Sequence, residues 1–256
     1  MKRRISGAAA LKTVSKYEDK CDKRTMRLLP RMGKRAPLCY EYVEQLILHA
    51  ELIGTCAYGC PGSSQEAHAV KYLAGRASGF ARAALRLARM GFYDEALIIV
   101  RSLGEITNLF FLFHAAPESV EEWKKSDRAY RLEKFLPSKI RRRIESLGKT
   151  PAITAENYTA LCEVSTHPVP QLRPQAFNHE RRATTGGIFL QEAGFLVVLN
   201  ELAEALSWLV VFAARVCAVP DEPLKEIREA SIACLTSVGR VDLANVDRVL
   251  GRSKPT

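Results

Sequence analysis

Residues 94–114, DEALIIVRSLGEITNLFFLFH, decide the fold class. Ala96, Ile99, Val100, Leu103, Ile106, Phe110 and Phe113 recur at steps of three and four, the spacing that puts side chains on one side of a helix. Gly91 breaks the chain before this stretch and Pro117 stops it afterwards. The same periodicity continues on both sides. Helices are expected over Leu38–Ile53, from Ser63 or Ser64 to Met90, over Ser119–Phe135, Ser138–Leu147, Thr154–Ser165, Phe189–Val219 and Glu222–Val238, with a weak tail helix at Leu243–Leu250. The helix ending at Met90 carries the apolar stripe Val70, Leu73, Ala74, Ala77, Phe80, Ala81, Ala84 and Ala88, whose small residues predict close helix approach. No alternating run suits a sheet, so the expectation is an all-α helical bundle.

Charge divides the chain unevenly. Twelve of the 38 basic residues and three of the 28 acidic ones fall in Met1–Ala36, leaving 26 against 25 in the other 220 residues. The formal net charge of +10 therefore describes a basic leader over residues 1–36 more than the body behind it, and the sequence leaves open whether that leader is ordered. Residues 37–240 are expected to form one domain and 241–256 a tail. A hydrophobic content of 47% excludes global disorder.

Seven cysteines, several of them inside apolar helical patterns, fit reduced thiols and a cytoplasmic setting better than a disulfide framework. The start MKRRISGAAAL has too short an apolar stretch for secretion, and Glu18, Asp19 and Asp22 are out of place in a transit peptide. FLVVLNELAEALSWLVVFAA (195–214) carries Asn200, Glu201 and Glu204 near its middle, which suits a buried core helix better than a membrane span.

Three features bear on chemistry. Arg101, Glu105 and Asn108 follow one another by four and three residues and make a polar seam on an otherwise apolar helix, either a buried polar site or an exposed pair. His167 stands before Pro168 at the end of the helix YTALCEVSTHP, as a general acid/base or a C-terminal cap. Two basic clusters, Lys139, Arg141, Arg142 and Arg143 on a helix and Arg173, His179, Arg181 and Arg182 in a proline-containing stretch of about twenty residues, can meet phosphates or simply be solvated. Cys56 and Cys60 in CAYGC lack a second ligand pair, so no metal is expected, and Gly186-Gly187 lacks the setting of a phosphate-binding loop. No cofactor is expected.

Two of these segments carry a resemblance. GFYDEALIIVRSLGEITNLFFLF (91–113) resembles the gly-x-eA-x-llR-x-l-x-E helix, and YTALCEVSTHP (158–168) the Y-x-x-L-S-x-x-x-x-H-P helix, of a family of bacterial all-helical proteins of unknown function that is itself similar to the HEPN superfamily. The resemblance spans about residues 65–214, and Cys162 stands where the family commonly has serine. It implies an HEPN-like core that brings Arg101 and Glu105 near His167. Because that superfamily includes ribonucleases of toxin and phage-defence systems as well as inactive scaffolds, it also implies metal-independent action on RNA, or a non-catalytic interaction module. A homodimer and an antitoxin or defence-system protein are the expected partners. The ribonuclease spacing of an arginine four to six residues before a histidine occurs once, as Arg173-PQAFN-His179, where chance alone supplies about one such match in a chain of this composition.

Overall fold

The computed structural model describes residues 7–59, 65–165 and 190–239. They form ten α-helices with no strand among them: α1 Gly7–Leu28, α2 Ala36–Gly54, α3 Gln65–Met90, α4 Tyr93–Ala115, α5 Glu118–Lys125, α6 Arg128–Lys134, α7 Pro137–Ser146, α8 Ala155–Ser165, α9 Glu192–Val216 and α10 Asp221–Ser237. The all-α expectation holds.

Helices α4 and α9 form the centre and pack most extensively on each other. Phe111 of α4 stacks on Phe212 of α9 with ring centroids 4.5 Å apart, and Thr107 donates to the carbonyl of Ala205 across the same interface. Both helices are long and apolar enough to cross a bilayer, and two-thirds of each candidate window is buried inside the bundle. Helices α2, α3 and α10 surround α9 on one side, while α7 and α8 cover α4 on the other. The small stripe of α3 is fully used: Ala74, Ala77, Ala81 and Ala84 are completely buried. Gly54 and Gly75 let α2 and α3 cross in contact, since a Cβ on Gly54 would sit 2.5 Å from the Gly75 Cα.

One expectation is corrected and one open question is answered. The charged stretch read as one helix, Ser119–Phe135, is two: the Asp127 carboxylate accepts from the Tyr130 backbone N–H at 2.7 Å, an N-cap that starts α6. The basic segment 1–36, whose order the sequence leaves open, is largely α1, and α1 packs on α3. Cys21, Thr25, Leu29 and Met32 are buried there, and the Thr25 hydroxyl donates to the carbonyl of Arg89. The Arg89 guanidinium grips both carboxylate oxygens of Asp22, at 2.7 and 3.1 Å. A helix with so few apolar positions has a charge count that hides its one buried edge. The expected tail helix at 243–250 lies outside the described residues.

Candidate functional site

The polar seam of α4 turns toward α7 and α8. Its residues divide the work by depth. Asn108 is buried and clamps the backbone of Ile153, donating to its carbonyl at 2.7 Å and accepting from its N–H at 3.0 Å, which fixes the chain just before α8 begins. One and two turns earlier, Glu105 and Arg101 are half-buried and meet the side chains of α8 itself.

Tyr158 and Cys162 are four residues apart and so share a face of α8. The Tyr158 hydroxyl accepts from Arg101 Nη1 at 2.5 Å and donates to Glu105 Oε1 at 2.9 Å. Arg101 Nη1 also lies 3.3 Å from Glu105 Oε1 and 3.8 Å from the Cys162 sulfur. A phenol thus bridges the two ends of an ion pair on the neighbouring helix. Burial, reinforced by the Glu105 carboxylate, pushes the Tyr158 hydroxyl up to about 12, so it keeps its proton and remains a donor. Burial alone would lower the Arg101 guanidinium, but Glu105 and the Tyr158 oxygen reverse the balance and leave it raised. The Arg101 Nε is buried without a hydrogen-bond partner.

Helix α7 adds a second guanidinium. Arg141 is 9% exposed and lies 4.7 Å from the centroid of the Tyr158 ring, on which Arg101 also converges at 5.2 Å. The three arginines that sequence grouped together separate here. Arg142 is exposed, whereas Arg143 is held by Glu122 at 2.6 and 3.2 Å and stacks on Phe135. The candidate cluster is therefore Arg101, Glu105, Arg141, Tyr158 and Cys162, with Arg142 and Lys139 exposed on the adjoining helix. His167, Arg173, His179, Arg181 and Arg182 lie outside the described residues, as do Cys60 and the Gly186-Gly187 pair.

Tyr158 was legible as the first residue of the YTALC segment, but nothing in its spacing announces that it joins Arg101 to Glu105. Arg141 was visible only as one of a basic run. An i,i+3 relation puts Arg141 and Ile144 on the buried side of α7 and leaves Arg142 outside.

A cleft of about 480 Å³ between α1, α2 and α3 is lined by Arg82, Arg86 and Arg89 and by Asp22, Glu44 and Glu51. Its charges largely satisfy one another: Arg89 holds Asp22, while Ser78 and Arg82 both reach Glu51. Among the described residues no group of three or more His, Cys, Asp and Glu side chains is arranged to hold a metal ion. No family model, no curated protein and no solved structure matches this chain.

Proposed function

We propose that this chain is an HEPN-like helical protein that binds RNA, with the junction of α4, α7 and α8 as its site. One observation carries the reading. The helix with the Arg101–Glu105 motif and the helix with the Tyr158 motif join through a direct Arg101–Tyr158–Glu105 network, and the basic helix α7 turns Arg141 into that network. Its cations are suited to phosphate oxygens, and Lys139 and Arg142 extend the positive surface outward.

In its catalytic form, His167, two residues beyond the end of α8, takes the proton of a ribose 2′-hydroxyl as that oxygen bonds to phosphorus. The P–O5′ bond breaks, the leaving oxygen takes up a proton, and an arginine of the cluster holds the phosphate charge. The test is incubation of the purified protein with total tRNA and with mRNA, beside the His167→Ala variant. Cleavage that disappears in the variant is the expected result, and cleavage that survives it removes His167 from the mechanism.

The second reading is a non-catalytic helical module, in which the same network serves helix packing. It is favoured by the degree to which Arg101 is already engaged inside the protein. Under it Arg101→Ala lowers the melting temperature and leaves RNA affinity unchanged.

A further inference from the structure

Arg141 is more deeply buried than three arginines that each hold a carboxylate, Arg89, Arg101 and Arg143. Yet among the described residues no acidic side chain lies within ion-pair distance of it. Its neighbour is the face of Tyr158, 4.7 Å away. A ring quadrupole attracts the positive charge but accepts none of the five directional N–H donors. Held against the ring with no acid beside it, and with none of its nitrogens sealed from solvent without a partner, the guanidinium keeps its donors for an anion that arrives from solution.

The anion's charge follows from the rest of the cluster. Arg101 and Arg141 converge on one ring, and Glu105 contributes one negative charge beside Arg101. Two cations and one carboxylate leave a single positive charge. This matches a singly charged oxyanion, while Glu105 repels the second charge of a terminal phosphate.

We propose that Arg141, backed by Arg101, binds one internal phosphodiester of an RNA strand at the α4–α7–α8 junction. The proposal rests on the RNA-binding reading above and narrows it to one backbone position and one residue, with Arg142 and Lys139 left as peripheral contacts. Arg143 drops out because Glu122 already occupies it.

The experiment measures binding of a fluorescent octauridylate to the full-length protein across a range of KCl concentrations, for wild type, Arg141→Gln and the remote Arg86→Gln. It is paired with thermal melting in the presence of dimethyl phosphate, a free diester with no nucleoside. Arg141→Gln should weaken RNA binding about tenfold and lessen the salt slope by about 0.7, the share of one phosphate contact on a single strand. Arg86→Gln should bind as wild type does. The ligand-free melting temperature of Arg141→Gln should stay level, because the guanidinium holds no acid in the fold; a residue kept for packing on Tyr158 would instead cause a fall. Dimethyl phosphate should raise the melting temperature of wild type and not of Arg141→Gln. RNA binding unaltered in Arg141→Gln overturns the site while the RNA reading stands. Stabilisation by dimethyl phosphate through Arg141 without any RNA binding overturns the RNA reading and leaves a diester site. Absence of both effects in wild type overturns both.

Discussion

A single hydroxyl group joins the two motif helices. Tyr158→Phe removes it while keeping the ring against Arg101 and Arg141, so Glu105 loses a donor and Arg101 an acceptor in a half-buried setting. The expected loss is about 1–2 kcal/mol, the cost of leaving such partners unmatched, measured by urea unfolding at neutral pH. A variant as stable as wild type would mean that water replaces the hydroxyl at no cost. Gly194 presents the opposite case, a residue that acts through what it lacks. Its bare Cα faces the Tyr93 ring, and a Cβ would fall 2.7 Å from a ring carbon, while the Tyr93 hydroxyl is itself held by the Gln191 N–H. Gly194→Ala should destabilise by about 1–3 kcal/mol through overpacking, read from the same unfolding midpoint. Neither residue's role was legible in the sequence, and for one reason: each matters through a partner roughly 50 or 100 positions away. Arg101 and Glu105 were legible because four-residue spacing on an apolar helix is a local pattern.

Local pattern also explains which helices could be read. The starts and stops of α4, α9 and α10 follow from breakers and long apolar stripes, and the structure places them within a few residues of expectation. The α5–α6 break was hidden because Asp127 reads as one more charge in a charged run until its side chain is seen capping Tyr130. Helix α1 was hidden more completely. Its buried positions among the described residues, Cys21 and Thr25, are not strongly apolar, and its lysines and arginines dominate any composition count. Trypsin distinguishes an arm from a packed helix, since Arg24 and Arg27 stand in the part of α1 next to the Asp22–Arg89 pair. Under brief digestion the bonds after Arg24 and Arg27 should outlast the one after Lys12, and Asp22→Ala should make them cleave several-fold faster by releasing that half of the helix. Equal, rapid cleavage at all three sites, read by mass spectrometry, would return this segment to the status of a free leader.

Across the whole molecule, the bundle's response to acid depends on two histidines at separate places in it. His49 of α2 is buried; its Nδ1 is bonded to the Tyr58 hydroxyl at 2.5 Å, and its Nε2 is without a partner. Burial lowers its proton affinity, and Glu226 of α10 only partly restores it. His114, at the end of α4, stacks on Phe212 and is likewise lowered by burial, then by Arg215 and Lys149. Both are therefore held neutral in the fold and bind protons more readily once the chain unfolds. The sign follows from linkage: the unfolded state takes up more protons, so the stability these sites contribute is complete above the ordinary histidine value near 6.5 and is lost as pH falls from there through the lowered folded values. Melting temperature should drop between pH 7 and pH 5, each site contributing at most about 1.4 kcal/mol per pH unit. His49→Gln keeps an acceptor for Tyr58, and His114→Phe keeps a ring on Phe212, yet neither side chain titrates. Each variant should flatten the slope by its own share. Added salt at pH 5 should recover only the smaller share of the loss at His114 that Arg215 and Lys149 cause, and none of the larger share that burial causes at both sites. A pH profile unchanged in both variants would place the acid sensitivity in carboxylates such as Glu122, which, against the raising effect of burial, Arg143 and Tyr130 hold below its ordinary value.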